Sequence, residues 1–256
     1  MWDIYDTLIE GIPNDLRVDD IISSIDKAYV RSGGGVGYGI TVPFYTNTRI
    51  HIKNMETLKL KEVAKLIKSW NLKEAAIGHG AINAYYNNPE IAEKNGVNLS
   101  ANRFTEDRLN DPFIAYQNQI AGKKVAVIGH FHYLEQLYQP ICDLTIVESE
   151  VVEGDYPYAA CEYLLPEQDY VVITSSSIVD KSLPRLLELS KNAYVIIVGP
   201  TTTLAPVLFE FGVNDLAGFV IKDTELAHQI GKGTDNSRIY RTGQKVSLKA
   251  NSFCRT

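Results

Sequence analysis

The sequence predicts an α/β protein in which a small α+β domain precedes a doubly wound parallel sheet of about five to six strands. Three observations support this fold class. The second half of the 256-residue chain alternates strand-like and helix-like runs, which is the pattern of right-handed βαβ units. Its strand-like runs are apolar throughout, as is typical of a sheet covered on both faces. The first half instead combines amphipathic helices with a glycine-rich hairpin. We place the two domains at residues 1–114 and 115–256.

The first half begins with a helical period of Trp2, Tyr5 and Leu8. Two β-rich runs follow, and the three glycines between them supply the positive φ angles of a hairpin turn. Two amphipathic helices come next, and an Asn-Asn-Pro sequence ends the second of them. The predicted elements are helices over 2–11, 57–70, 72–86 and about 105–110, and strands over 25–31 and 36–42.

In the second half each apolar run predicts a strand, and each amphipathic run between two strands predicts a helix. The predicted strands are 124–128, 144–148, 170–174, 194–198 and 218–221, and a last run at 245–249 adds an edge strand. The predicted helices are 131–138, 157–164, 178–189, 204–211 and 223–229.

Composition limits the classes of partner. Hydrophobic residues make up 45% of the chain and charged residues 22%, which is typical of a globular protein, and the net charge of −6 argues against a nucleic-acid or anionic-membrane surface. No apolar run approaches the roughly 18 residues that cross a bilayer. Acidic residues stand where a signal peptide carries basic ones, and three scattered cysteines indicate a reducing compartment. We therefore expect a cytoplasmic protein with a small-molecule ligand, and the sequence leaves a homo-oligomer open.

The carboxyl ends of the predicted parallel strands are the expected place for that ligand. With a strand order of 3-2-1-4-5, a crevice lies between the ends of the first and fourth strands. Helix N-termini and hydroxyl groups at these ends favour an anionic or acceptor-rich ligand, although serine and threonine there also serve simply as helix caps. The crevice is expected to be rimmed by Gly129, His130, Glu148, Thr174, Ser175, Ser176, Gly199, Pro200, Thr201 and Thr202.

Two histidines and one acid are the main candidates for chemistry. His79 follows a glycine in the second amphipathic helix, and His130 lies in the first turn of the sheet; histidine is the natural acid or base near neutral pH. Glu148, at the end of the second strand, is placed to accept ribose hydroxyls, but an ordinary surface glutamate fits the position as well. The absence of GxGxxG argues against NAD and FAD. Motifs with the ligand spacing of zinc sites are absent too. A divalent or heavy metal therefore remains a candidate cofactor, but no residues are assigned as its ligands.

A resemblance to a known family is carried by the stretches GKKVAVIGHFHYLEQL (122–137), CDLTIVESEVVEGDYPY (142–158), DYVVITSSSIVD (169–180) and AYVIIVGPTTTLAP (193–206). Through them the second half resembles a bacterial and archaeal family named for heavy-metal chelation. The first half, through AIGHGAINAYYN (76–87), resembles the domain that usually precedes it. The resemblance therefore covers nearly the whole chain.

The resemblance implies a first domain similar to the N-terminal domain of enolase, a Rossmann-like second domain and a pocket at their junction. It also implies that Asn83 from the first domain reaches this pocket. His132 departs from the family pattern, and we assign it no role. The family-like positions of the second domain are Gly129, His130, Phe131, Glu148, Asp155, Pro157, Thr174, Ser175, Gly199, Pro200 and Thr201.

Three functions remain open. The first is an enzyme that acts on an anionic or heterocyclic, metal-chelating metabolite by condensation, hydrolysis or group transfer, with His130, Glu148 and Asn83 as the catalytic residues. The second is a non-catalytic binding protein for a heavy metal or a metal–chelate complex. The third is an enzyme that uses S-adenosylmethionine. The expected ligand-binding residues are Gly129, Phe131, Thr174, Ser175, Ser176, Gly199, Pro200, Thr201, Thr202 and His79.

Overall fold

The computed structural model describes residues 2–24, 26–41, 58–99, 110–131, 133–235 and 238–250. It confirms an α/β protein with a small N-terminal domain around a three-stranded antiparallel sheet, followed by a seven-stranded, mostly parallel sheet with helices. The helix predicted near residues 105–110 and the cysteine at position 254 lie outside the described residues, as do the histidines at positions 51 and 132.

The N-terminal domain contains the predicted hairpin and an additional strand. Gly33 and Gly34 form the hairpin turn with φ angles of 53° and 79°, which side chains rarely allow. The predicted helix over 57–70 is shorter in the structure and tightens into a 3-10 turn at Lys65–Lys68. The elements are α1 (Asp3–Glu10), β1 (Asp20–Ser23), β2 (Lys27–Ser32), β3 (Gly35–Ile40), α2 (Leu60–Ala64), α3 (Leu72–Tyr86) and α4 (Pro89–Lys94).

Helix α3 lies directly on β3 because that strand presents glycine at alternate positions. A Cβ atom added to Gly35, Gly37 or Gly39 would stand only 2.0–2.2 Å from backbone oxygens of α3. Successive strand residues point to opposite faces, so the three glycines share the face toward the helix. This contact brings the backbone of the helix against the backbone of the strand and fixes where the other side of α3 points.

The second domain follows the predicted alternation, but its helices are short. The segment after β8 forms a 3-10 helix at Pro206–Phe211 instead of the predicted α-helix over 204–211. The elements are α5 (Pro112–Ala115), α6 (Gln117–Ile120), β4 (Lys124–Ile128), α7 (Leu134–Leu137), β5 (Asp143–Glu148), β6 (Tyr156–Pro157), α8 (Cys161–Leu164), β7 (Tyr170–Thr174), α9 (Leu183–Leu189), β8 (Tyr194–Val198), β9 (Asp215–Ile221), α10 (Thr224–Lys232) and β10 (Gly243–Lys249).

The order of the strands differs from the prediction. The sheet runs β10-β9-β8-β7-β4-β5-β6, so the five predicted strands are arranged 2-1-3-4-5 and not 3-2-1-4-5. Strand β7 pairs directly with β4, in the register Val125↔Tyr170. The alternation of strands and helices is the same for both orders, and for that reason the sequence pattern could not separate them. The switch point therefore lies between β4 and β7. The predicted edge strand is β10, which pairs antiparallel with β9.

The two domains are joined by polar side chains of α3 that bind the backbone after β8. The Asn83 amide donates to the carbonyl oxygens of Tyr38 at 2.9 Å and Thr201 at 2.8 Å, and its oxygen accepts from the Thr203 hydroxyl at 2.6 Å. Asn87 donates to the Thr202 carbonyl oxygen and accepts from the Leu204 N–H, both at 2.9 Å. Both asparagines are buried. Their hydrogen bonds therefore satisfy backbone groups that lost their contact with water on folding.

Replacing Asn83 by alanine is expected to lower the free energy of unfolding by about 3 kcal/mol, because it leaves buried polar partners unsatisfied at roughly 1–3 kcal/mol each. Urea unfolding of the purified variant measures the change. The matched control is Asn88→Ala, which removes a partly exposed helix cap and should cost only about 1 kcal/mol. Equal losses in the two variants would contradict the role of Asn83 as the bridge between the domains.

Candidate functional site

A cavity of about 190 Å³ opens at the switch point. Parallel strands on either side of this point send their connections to opposite faces of the sheet, which leaves a crevice at the carboxyl ends. Two further cavities, of about 60 and 440 Å³, lie along the same edge near Pro200 and Tyr240. The switch-point cavity is lined by Ile128, Gly129, His130, Phe131, Val147, Glu148, Ser149, Tyr158, Thr174, Ser176 and Asp180.

The turn after β4 is shaped by a glycine that must remain a glycine. Gly129 has a φ of 107°, and a Cβ atom there would stand 3.3 Å from the Cβ of Thr174 on β7. Its N–H donates to the Val147 carbonyl oxygen at 2.9 Å, which continues the pairing of β4 with β5 past the end of the strand. The chain can therefore bend sharply and carry His130 onto the wall of the cavity.

His130 is held between two carboxylates. Its Nδ1 lies 2.9 Å from Asp155 Oδ1, and its Nε2 lies 3.0 Å from Glu135 Oε1. The Asp155 side chain is only 1% exposed, whereas the Glu135 side chain is 45% exposed. The hydrogen bond to Asp155, assisted by both carboxylate charges, raises the pKa of His130 above its ordinary value although burial acts against it. Asp155 thus fixes the ring, while Nε2 faces a partner that can turn away into solvent.

Glu148 ties the turns after β4 and β5 together. Its Oε2 accepts from the His130 N–H at 2.8 Å, and its Oε1 accepts from the N–H and the hydroxyl of Ser149 at 2.6 and 2.8 Å. Burial disfavours the charged carboxylate, but these hydrogen bonds outweigh that effect and lower the pKa of Glu148 below its ordinary value. Glu148 is therefore an ionised group that holds the turn of His130 through Oε2 and binds Ser149 through Oε1.

The segment after β7 supplies the third wall of the cavity. The hydroxyls of Thr174 and Ser176 lie 3.1 Å apart and both residues line the cavity. The buried Ser175 hydroxyl instead lies 2.8 Å from the hydroxyl of Thr201, in the loop after β8. Burial raises the pKa of Asp180 above its ordinary value, even though the N–H and hydroxyl of Ser182 donate to its carboxylate.

The structure gathers only part of the predicted site. Strand β7 stands between β4 and β8, so the loop after β8 does not line the switch-point cavity. It meets the segment after β4 in the cavity of about 60 Å³ instead, where Phe131 and Gly199 both line the wall. Among the predicted residues, Gly129, His130, Phe131, Glu148, Thr174 and Ser176 line the switch-point cavity. Gly199 and Pro200 line the 60 Å³ cavity, and Pro200 and Thr201 line the 440 Å³ cavity. Asn83, His79, Ser175 and Thr202 are buried and line none of these three cavities.

His79 and Asn83 contact the junction of the domains and not the cavity at the switch point. His79 is fully buried, with Nε2 lying 3.2 Å from the Thr203 hydroxyl, and burial lowers the pKa of His79 to about 3. A fully buried imidazole that remains neutral is suited to packing and not to proton exchange with a ligand. Asn83 lies at the junction of the domains, as expected, but it does not line the switch-point cavity: its amide donates to the carbonyl oxygens of Tyr38 and Thr201.

Several cavity residues are not among the predicted site residues. Asp155 belongs to the family-like set without an assigned role, and the sequence pattern does not single out Tyr158, Asp180 or Ser149. Tyr158 and Asp180 stand in the quoted stretches GDYPY and SSSIVD, close to the ends of β6 and β7. Tyr158 and Asp180 each follow the end of a strand by no more than six positions, and this spacing is the sequence signal that marks them.

No described helix has the length and apolar character to cross a membrane; the longest, α3, has 15 residues. Within the described ranges, no three His, Cys, Asp or Glu side chains are grouped so that they could hold a metal ion together. Cys142 and Cys161 are free thiols, and burial raises the pKa of each to about 11. Their environment is that of packed, unreactive cysteines.

The fold and the cavity define an α/β protein with a ligand-sized cavity at the switch point of its large sheet. Family models match residues 111–249 and 5–86, and both carry the description "Putative heavy-metal chelation". The chain belongs to this family, whose larger domain is known as DUF364.

Relatives from three organisms cover nearly the whole chain. A crystal structure of a DUF364 protein of unknown function from Desulfitobacterium hafniense is 52% identical, with 97% of this chain and 98% of that chain covered and a TM-score of 0.90. A second DUF364 structure of unknown function, from Pyrococcus horikoshii, is 20% identical over 96% of this chain and 98% of that chain, with a TM-score of 0.73, and shows the shared fold. An uncharacterized protein of Methanocaldococcus jannaschii is 28% identical, covering 93% of this chain and 92% of that protein.

Asp155→Asn is expected to lower the pKa of His130, because the substitution removes the charge that favours the imidazolium. NMR titration of the histidine ring signals, with His130→Gln used for assignment, measures the shift. Asp143→Asn, at an exposed position, is the control and should leave His130 unchanged.

The same pair links stability to pH. A pKa raised by folding stabilises the protein fully below the unfolded value of about 6.5, and this contribution disappears as the pH rises through the folded value. The stability difference between wild type and Asp155→Asn should therefore be larger at acid than at alkaline pH. A difference that grows toward alkaline pH would rule out this linkage.

Proposed function

We propose that the protein is an enzyme that acts on a small polar metabolite in the switch-point cavity, with His130 as the acid or base. One observation carries this proposal: on the wall of the cavity the ring of His130 is hydrogen-bonded by the almost fully buried Asp155. A histidine oriented by a buried carboxylate is the recurring arrangement of proton-transferring groups in active sites.

The geometry assigns different roles to the two ring nitrogens. Asp155 accepts from Nδ1 and so fixes which nitrogen keeps its proton. Nε2 meets Glu135, whose side chain is partly exposed, so a ligand that enters the cavity can take the place of this carboxylate. Because its pKa is raised, the His130 ring stays protonated on both nitrogens up to a higher pH. His130 therefore acts first as the acid.

The charges around the cavity support a heterocyclic ligand more strongly than an anionic one. Glu148, Asp155 and Glu135 surround the imidazole of His130, so among the described groups here negative charge exceeds positive charge and repels a phosphate or a polycarboxylate. The loop after β8, from which anion binding was expected, does not line this cavity. The size of the cavity, about 190 Å³, suits a ring, since engineered cavities of about 150 Å³ bind benzene.

We also propose the finer fold relationships that the resemblance implies, a Rossmann-like second domain and a first domain similar to the N-terminal domain of enolase. The strand order 2-1-3-4-5 supports the first, because doubly wound nucleotide-binding folds use it with the ligand at this same switch point. The antiparallel β1-β2-β3 sheet followed by α3 supports the second.

The nucleoside-cofactor alternative has weaker support. An acid at the end of the second strand binds ribose hydroxyls through the lone pairs that its protein partners leave open. Both oxygens of Glu148 already accept hydrogen bonds from His130 and Ser149. A role in holding the turn therefore accounts for Glu148 without a ribose, and S-adenosylmethionine remains the last of the three candidates.

Untargeted metabolite profiling tests the proposed enzyme because it requires no choice of substrate. Wild type incubated with a deproteinised bacterial metabolite extract should deplete a small polar compound and produce another. His130→Gln should abolish the conversion or slow it at least about a hundredfold, in line with the usual contribution of an acid or base. His228→Gln, whose ring pairs with Asp20 away from the cavity, is the matched control. Conversion at the wild-type rate by His130→Gln would remove His130 from the mechanism.

A binding protein for heavy metal is the second candidate, and the family description is what favours it. We expect instead that any metal arrives with the ligand, because the described side chains form no group of three metal ligands. Elemental analysis of protein purified without chelators should find less than one metal per chain, and Zn²⁺, Ni²⁺ and Cd²⁺ should not raise the melting temperature. A stoichiometric metal that is lost in His130→Gln would support the binding function over the enzyme.

A further inference from the structure

We propose that the cavity of about 440 Å³ between the two domains is a second binding site, which takes a flat apolar molecule with one carboxylate group. Arg238 is the residue that binds the carboxylate. The inference goes beyond the proposed function, because this cavity shares no lining residue with the switch-point cavity of His130.

Both domains contribute walls to this cavity, which lies on the face of β3 away from α3. Because the glycines of β3 point toward α3, the alternate residues Tyr38 and Ile40 point toward the second domain. Pro200 from the loop after β8 and Tyr240 from the segment before β10 line the same cavity. Its volume falls within the roughly 300–1,000 Å³ that small-molecule sites span.

Two polar residues of the walls are bonded within the protein. The Tyr38 hydroxyl donates to the Ala227 carbonyl oxygen. The Thr201 carbonyl oxygen accepts from the Asn83 amide at 2.8 Å, and the Thr201 hydroxyl lies 2.8 Å from that of Ser175. These walls therefore offer a ligand their aromatic and aliphatic surfaces, which favours a flat apolar molecule.

Positive charge distinguishes this cavity from the one at the switch point. The described residues that line the switch-point cavity include two acids and no lysine or arginine, whereas Lys27 and Arg238 both line the larger cavity. Lys27 pairs with Asp26 at 3.3 Å. Among the described residues no acid forms an ion pair with Arg238, so the described charges of this cavity sum to one positive charge.

One guanidinium group beside apolar walls matches an apolar monocarboxylate. The planar fork of arginine donates two parallel hydrogen bonds to a carboxylate. Arg238 is exposed and stands directly before the 3-10 turn at Ile239–Arg241, so it lines the cavity from its rim. A carboxylate bound at the rim keeps part of its hydration, which limits the cost of removing it from water.

Binding of 2-naphthoate tests the site when it is compared with 2-naphthamide, because the amide has the same ring system without the charge. In calorimetric titrations wild type should bind the acid at least about threefold more tightly than the amide, in line with the modest strength of ion pairs near solvent. Arg238→Gln should abolish this preference and leave binding of the amide unchanged. Arg241→Gln, at an exposed position in the same turn that does not line the cavity, is the matched control and should retain it.

A second variant tests the place of binding. Ile40→Trp puts a larger side chain into the cavity and should weaken binding of both compounds at least about tenfold, whereas His130→Gln alters the other cavity and should weaken neither. Melting temperatures show whether the variants are folded. Nuclear Overhauser contacts from bound naphthoate to the rings of Tyr38 or Tyr240 give the same information for wild type, without any substitution.

Three results would overturn the proposal: no binding of millimolar naphthoate to wild type, equal affinity for the acid and the amide, or a preference for the acid that persists in Arg238→Gln. Loss of binding in His130→Gln but not in Ile40→Trp also counts against it, because it places the ligand at the switch point. None of these measurements depends on turnover, so the second site stands or falls independently of the proposed enzyme.

Discussion

The hydrogen bonds from α3 to the loop after β8 are the interaction on which the rest of the structure depends. Asn83 and Asn87 satisfy the backbone of residues 201–204, and the glycines of β3 let α3 approach closely enough to do so. These bonds satisfy backbone groups of the loop and hold it against the N-terminal domain. At the carboxyl edge of the sheet, the cavity at the switch point between β4 and β7 is the one that His130 lines.

At that point the chemistry depends on acids that come from separate parts of the chain. Glu148 at the end of β5 holds the backbone of His130, Asp155 holds its ring, and Asp180 approaches from the segment after β7. Each environment sets a different proton affinity: hydrogen bonds keep Glu148 ionised, while burial favours the neutral form of Asp180. Carboxyl groups whose pKa values are shifted in opposite directions are characteristic of sites that move protons.

The family description and the cavity point to different chemistry. Chelation of a heavy metal by the protein requires several soft or charged side chains that converge on one point, and the described residues offer no such group of three. The cavity instead presents one oriented histidine, hydroxyl groups and the carboxyl groups of Glu148 and Asp180. These groups suit recognition of an organic molecule, and the two interpretations agree if that molecule is itself the chelator.

The sequence by itself determined the fold class, most of the strands and the glycine turn that carries His130, because apolar runs, periodicity and glycine act locally. It also identified His130 and Glu148 as cavity residues. Only the tertiary structure decided the strand order, since both orders have the same alternation along the chain. That order moved the loop after β8 away from His130 and made Asn83 and His79 part of an interface. The pairing of His130 with Asp155, 25 residues away, and the placement of Tyr158 and Asp180 in one cavity followed from packing, which sequence spacing does not encode.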